Sequence, residues 1–295
     1  MPQPIRMDLV IGAYDMAREL PRTIETWAPA FQQQSDGRIE YRITLVDNGS
    51  PEPVDAGTLG RLAPNLAVRR IAGASPSPAA AINAAVGDGD APYIGLVIDG
   101  ARMASPGLLR WAAEAFRLAP DGLVGTYGFH LGPDIQHRAM AEGYDRAEED
   151  RLLAGIPWRR NGYRLFDISV FAGSSKGGWF RPIAESNALF LPRTLWNELG
   201  GLDVRFASPG GGYVNIDFWQ RAIIANREAP WMIIGEGTFH QIHGGAATNA
   251  EDQSVRQAMR AEFEAIRGEP FGLLKYDVRL IGRAPPVGRK PAPIS

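Results

Sequence analysis

The 295-residue chain reads as an α/β protein with a mostly parallel, Rossmann-like central sheet flanked by helices. Three observations lead there. Short apolar runs recur at Met7 to Ala13, Tyr41 to Val46, Leu66 to Ile71 and Tyr93 to Ile98. The segments between them are long enough for the crossovers that parallel strands require, and two carry helical periodicity. The second and fourth runs stop on an acid, Asp47 and Asp99, at strand tips where an open α/β sheet holds its ligands.

Taken in order, the first strand ends at Ala13-Tyr14-Asp15, and Pro21 opens a helix in which Ile24, Trp27 and Phe31 recur at helical spacing. Tyr41 to Val46 alternates, turns continuously apolar and stops at Asp47-Asn48-Gly49-Ser50-Pro51. Leu66 to Ile71 is a weaker strand, followed by a Ser/Pro loop and an Ala-rich helix through Ile82, Asn83 and Val86. Tyr93 to Ile98 is apolar, aromatic or Gly throughout and too short for a core helix, so it reads as a strand buried on both faces. Asp99-Gly100-Ala101-Arg102 then sets a negative and a positive group where backbone can approach a ligand closely, although an Asp-Gly turn alone explains the pair as well.

Ser105 and Pro106 begin a helix whose apolar face is Leu108, Leu109, Ala112 and Phe116. Leu123 to Leu131 is another strand. Over 132 to 182 the pattern blurs: Glu142 to Arg151 reads as an exposed helix and Ala172 to Phe180 as a loop over a site. Regular order returns at Ser186 to Pro192, then a short helix at Thr194 to Leu199 stopped by Gly200-Gly201. Ile216 to Ala225 reads as a helix, Trp231 to Ile234 as a strand, and Glu251 to Arg267 as a long helix before a Pro-rich basic tail.

Composition narrows the function. A hydrophobic content of 45% supports a sizeable core, and a net charge of −2 without a basic run gives nucleic acid no electrostatic footing. With no cysteine, disulfides, thiolate zinc sites and cysteine nucleophiles are excluded, so any metal must be held by oxygen or His nitrogen. No apolar run is long enough to span a bilayer and the start lacks a signal-like core, so the expectation is a cytoplasmic protein without an integral membrane segment.

Four landmarks then fall in one order over roughly residues 7 to 245. These are Val10-Ile11-Gly12-Ala13-Tyr14-Asp15, Val46-Asp47-Asn48-Gly49-Ser50, Ile98-Asp99-Gly100-Ala101, and Gly200-Gly201-Leu202-Asp203 with Phe206. The ordered set resembles the family 2 glycosyltransferases, whose fold is GT-A. The resemblance implies a nucleotide-sugar-binding half at 1–131, an acceptor-side half of the same domain at 132–250, and a C-terminal helix and tail at 251–295. It implies Ala13, Asp15 and Asp47 as donor contacts, with Asp47 accepting from the base ring. It also implies Asp99, with His240 or His243, as ligands of a Mn²⁺ or Mg²⁺ on the donor diphosphate, and a saccharide or lipid-linked acceptor.

Two departures stand out. The second acid of the family's Asp-x-Asp is Ala101 here, and one carboxylate is a poor divalent-cation site. Arg102 is suited to offset diphosphate charge instead, or is a solvent-facing residue at a helix entry. The family's base position falls on Asn215, whose amide cannot usefully take a proton from a hydroxyl. Asp217, near a helix N-terminus and two residues along, is the first substitute, with Asp203 and Glu185 behind it. Gly244-Gly245 offers backbone N–H groups for phosphate. The expected function is transfer of a sugar, with inversion, from a nucleotide-diphospho-sugar to an acceptor hydroxyl. The alternatives are a non-catalytic nucleotide- or sugar-binding module, motivated by Ala101 and Asn215, and a His-dependent metallohydrolase.

Overall fold

The computed structural model describes residues 3–32, 38–243 and 253–285. Its strands in chain order are β1 (Ile5–Ala13), β2 (Ile39–Asp47), β3 (Leu66–Arg70), β4 (Tyr93–Val97), β5 (Arg102–Ala104), β6 (Val124–Leu131), β7 (Ser169–Phe171), β8 (Ala188–Pro192), β9 (Trp231–His240) and β10 (Arg279–Gly282). They form one sheet ordered β10-β9-β6-β8-β4-β1-β2-β3, with β5 beside β9 and β7 beside β6. Along that path only β8 runs against its neighbours, so the sheet is mostly parallel as the crossover spacing predicts. Because β6 and β4 both oppose β8, and β9 parallels β6, the carboxyl ends of β1, β2, β4 and β9 share one edge.

Period-2 alternation sorts the strand side chains onto two faces. Val10, Ile94, Leu96, Leu189 and Leu191 go to one core with α3 (Ala79–Gly87), α7 (Arg193–Leu199), α8 (Val214–Ala225) and α9 (Gln253–Arg267). Leu9, Ile11, Val97, Ala188 and Phe190 go to the other, with α1 (Leu20–Trp27), α2 (Ala56–Leu62) and α4 (Leu108–Leu118). Trp27 and Phe116 are essentially inaccessible there, each contributing on the order of 2–3 kcal/mol by burial. Helices on both faces give the expected three-layer α/β arrangement.

Several boundaries differ from the sequence reading for local reasons. α1 stops at Trp27, and Phe31 lies beyond it, packed with Trp158. α2 is short and weakly patterned, but Asp55 caps it by accepting from Thr58 N at 3.0 Å. The 132 to 182 region holds α5 (Gln136–Ala141) and α6 (Arg146–Ala154), and the α6 residue Glu149 is fully buried rather than exposed. β10 adds a parallel edge strand where no strand is apparent in the sequence. α7 ends as predicted, with Gly200 and Gly201 at φ near +70°, where a Cβ would be strained.

Candidate functional site

The shared edge is built by close backbone approach. Ala13 and Asp47 are register partners at the tips of β1 and β2, and Asn48 N donates to Ala13 O at 2.8 Å. A Cβ on Gly100 would lie 2.9 Å from the Ala13 Cβ, so only glycine lets the Asp99 segment settle over the end of β1. Asp47 is fully buried. Its Oδ1 accepts from Ser50 N at 2.9 Å, while its Oδ2 has no hydrogen-bond partner among the described residues and lies 3.8 Å from Arg70 Nη1. Asp15 takes φ +53°, and its N–H donates to Ser50 Oγ, tying the first two loops together. Ala13, Asp15, Asp47 and Asp99 are thereby gathered at one end of the sheet.

β9 supplies the opposite wall. The strand expected over Trp231 to Ile234 does not stop there: the polar stretch that follows continues it as far as His240, after a register shift in its pairing with β6. Its polar residues are buried because partners meet them, as Glu236 accepts from Gly107 N and Tyr163 Oη. His240 pairs in register with Arg102 of β5, which brings the residues following Asp99 against the end of β9. His240 Nε2 lies 2.9 Å from Asp99 Oδ2 and 2.9 Å from His243 Nε2, and His243 Nε2 lies 3.3 Å from the same carboxylate oxygen.

These three atoms form a nearly equilateral triangle that hydrogen atoms satisfy poorly. A proton on one imidazole can bridge one edge; protons on both Nε2 atoms would face each other across 2.9 Å. Two ligands 90° apart at about 2.1 Å from an ion are separated by about 3.0 Å, close to the edges observed. Among the described residues this is the one group of three acid or His side chains able to converge on an ion. Burial alone would raise the Asp99 carboxyl, but the two imidazoles hold it well below the usual carboxylate range. Burial and Arg102 push His240 down to about 4, whereas for His243 the attraction of Asp99 outweighs burial and raises it. The neutral His240 is a ready ligand, and two imidazoles with one carboxylate suit Mn²⁺ better than Mg²⁺.

Arg102 is not a solvent-facing residue at a helix entry. It sits in β5, 7% exposed, with Nη2 4.0 Å from Asp99 Oδ2 and with Nε and Nη1 unpartnered among the described residues. Burial draws its guanidinium below the ordinary value, against the pull of Asp99 and Glu185. Such a buried, half-satisfied cation is costly unless an anion completes it. His130 packs its ring 5.5 Å from that of His240, and burial with nearby His240, Arg102 and His137 holds it well below its ordinary value. All four histidines of the chain therefore belong to one neighbourhood. Gln136, 2% exposed, follows His130 in this wall through a 2.8 Å bond from its N–H to His130 Nδ1, and both its amide atoms lack partners among the described residues.

Asn215 and Asp217 part company. Residues two apart on a helix point in nearly opposite directions, which undercuts the idea that Asp217 can reach what residue 215 reaches. Asp217 is 2% exposed and accepts from Arg221 Nε at 2.9 Å and Arg267 Nη2 at 2.7 Å. Arg221 is itself fastened to Leu199 O and Gly201 O, so the Asp217 cluster braces α8 against the Gly-Gly turn and α9. Asp203 is bound into the same cluster by Arg205 and Arg267. Asn215 instead donates from Nδ2 to Glu185 Oε2 at 2.8 Å, leaving its Oδ1 without a partner among the described residues. Glu185 lies here because β8 is antiparallel to β4: Val97 faces Ala188 and Ile98 N donates to Asn187 O, so the chain entering β8 passes the chain leaving β4.

The loop after β9 is clamped from below. Glu149 Oε2 accepts from Ile242 N at 2.7 Å, and Arg18 donates to both Glu149 and Ile242 O. Glu149 and Arg18 carry no sequence signal for this role beyond an acid and a base in charged stretches. Gly244 and Gly245 lie outside the described residues.

No protein-family model matches the chain, and no curated protein matches it by sequence. Among solved structures the fold is similar to that of S. aureus TarS. The crystal structure of its residues 1–349 in complex with UDP aligns with a TM-score of 0.51 at 9% identity, over 88% of this chain and 65% of that one. The crystal structure of S. aureus TarS aligns with a TM-score of 0.53 at 10% identity, over 88% and 40%. The chain thus spans less than two thirds of the length of the structures it matches. At such identity the likeness shows the fold, which is GT-A-like.

Proposed function

We propose that the chain is a glycosyltransferase that takes its sugar from a nucleotide-diphospho-sugar and delivers it to a hydroxyl of a saccharide or lipid-linked acceptor, with inversion. The observation that carries this reading is the triangle of Asp99 Oδ2, His240 Nε2 and His243 Nε2, at the sheet edge that also holds two Arg102 nitrogens and an Asp47 oxygen, Oδ2, without hydrogen-bond partners among the described residues. Asp47 accepts from the base ring, and Ala13 and Asp15 line the nucleoside. UDP is the first nucleotide to test, since the GT-A-like fold is shared with a protein crystallised with it. Asp99, His240 and His243 hold a divalent ion, Mn²⁺ in preference to Mg²⁺, which supplies Lewis-acid stabilisation of the diphosphate. Arg102 pairs with the same diphosphate and stabilises the negative charge that gathers there as the glycosidic bond breaks.

Calorimetry and nucleotide-release assays with UDP-, GDP- and dTDP-sugars test this. Binding of at least one donor, followed by slow release of its nucleoside diphosphate in water, is the expected result, with Asp47→Ala weakening binding about tenfold or more. A chain that binds no donor contradicts the reading. Ala101 and Asn215 keep one competitor in play, a non-catalytic nucleotide-binding module. Donor binding without turnover under any metal favours it.

A further inference from the structure

We infer that Glu185 is the general base of the transfer and that Asn215 is its positioning residue. The inference rests on the transferase reading above and adds to it the group that receives the acceptor proton.

Displacement at an anomeric carbon needs a carboxylate that meets the acceptor hydroxyl on the side away from the departing diphosphate. Asp15, at the same edge, belongs to the nucleoside side in the reading above, and several other acids nearby are committed elsewhere. Asp99 is committed to the two imidazoles, and Asp47 to Ser50 N and Arg70. Asp217 and Asp203 are held by Arg221, Arg267 and Arg205. Glu19 is buried against Arg18, and Glu149 against Arg18, Arg22 and the Ile242 N–H. Glu185 differs. It is half-buried, and the hydrogen bond it takes is on Oε2 from a neutral amide, Asn215 Nδ2 at 2.8 Å.

Its placement follows from topology. Arg102 feels the charges of both Asp99 and Glu185, so the guanidinium is a common neighbour of the ion-binding triangle and of this carboxylate. Glu185 at the entry of β8 and Asn215 at the start of α8 meet beside Arg102, so a sugar on a diphosphate held by the triangle and Arg102 would have this carboxylate within its surroundings. An amide at position 215 suits that arrangement. A second carboxylate there would repel Glu185 at 2.8 Å and drive one of the pair to hold a proton, which would spoil it as a base. Asn215 supplies an N–H instead, which orients the carboxylate plane. The step balances without a further reagent. The acceptor oxygen forms the new bond to the anomeric carbon, the bond from that carbon to the diphosphate oxygen breaks with its electron pair going to the diphosphate, and the acceptor proton passes to Glu185.

The test uses the full chain with Mn²⁺ and the donor that the wild type turns over best, reading nucleoside diphosphate release and, separately, UDP binding by calorimetry. Glu185→Gln should lower kcat by about 10²–10⁴-fold and abolish the acid limb of the pH profile, while the Kd for UDP changes by less than about threefold. Glu185→Asp should retain part of the rate. Glu185→Gln combined with Asn215→Asp moves the carboxylate across the hydrogen bond, and should recover at least about tenfold over Glu185→Gln alone. That recovery is not expected of a merely structural residue, and it also serves if the single variant is poorly folded. A wild-type rate that survives Glu185→Gln within about fivefold, or a double variant no better than the single one, overturns the base assignment while leaving the transferase intact. A wild type that neither binds nor consumes any donor overturns both.

Discussion

Asn215 and Asp217 share the first turn of α8 yet serve different neighbours: Asn215 donates to Glu185 at 2.8 Å, while Asp217 is clasped by Arg221 and Arg267. A helix turns about 100° per residue, so two positions two apart cannot substitute for each other. On the proposed reading, the division separates chemistry from scaffolding within three residues.

Asp217→Asn should therefore act on stability. Removing one partner leaves two arginines against a buried site, a loss of about 3–5 kcal/mol. Urea unfolding should show the drop, while kcat per folded molecule stays near the wild-type value. A folded Asp217→Asn protein with kcat reduced more than a hundredfold would return that residue to the chemistry.

Glu149 predicts a pH dependence of stability. Burial pushes its carboxyl up to about 7 against the opposing pull of the Ile242 N–H and Arg18, from an ordinary value of 4.5. The folded chain then keeps a proton that the unfolded chain releases at lower pH. The resulting stabilisation is complete below about pH 4.5 and is lost as pH rises to about 7, a change of about 3 kcal/mol. Glu149→Gln should flatten that part of the stability curve between pH 5 and 8, measured by urea midpoints. An unchanged slope would mean that Glu149 is ionised throughout and simply paired with Arg18.

Phe180 carries a backbone φ of +69° and is 55% exposed, a combination that neither packing nor conformational preference favours. Left-handed backbone costs a non-glycine residue about 1–2 kcal/mol, only part of which is offset by the greater freedom of an unfolded glycine. Phe180→Gly should thus raise stability by roughly 0.5–1 kcal/mol. A loss of stability instead would show that the ring makes a contact worth more than the strain.

Much of the fold was legible because burial on both faces leaves an apolar run that needs no partner to be recognised, as in β1, β4 and β8. The acids Asp47 and Asp99 were legible as a site because they punctuate such runs, the pair His240 and His243 entered through the family resemblance, and the structure brings Asp99 and both histidines together. β5 was not, since three residues make a strand only when β9 is alongside. The outer half of β9 reads as polar because Glu236, Thr238 and His240 are buried against partners distant in sequence. Glu185 stood behind Asp217 among the candidates for the base. Its place depends on β8 running antiparallel to β4, a fact that no local pattern carries.

The most direct measurement is calorimetric titration of UDP into the chain with Mn²⁺ and again with the ion chelated, in the wild type and in His243→Ala. If the triangle holds an ion for a diphosphate, the wild type should bind UDP at least about tenfold more tightly with Mn²⁺, and His243→Ala should lose most of that difference. Equal affinity with and without Mn²⁺ in the wild type, or a His243→Ala variant that keeps the full enhancement, would contradict it.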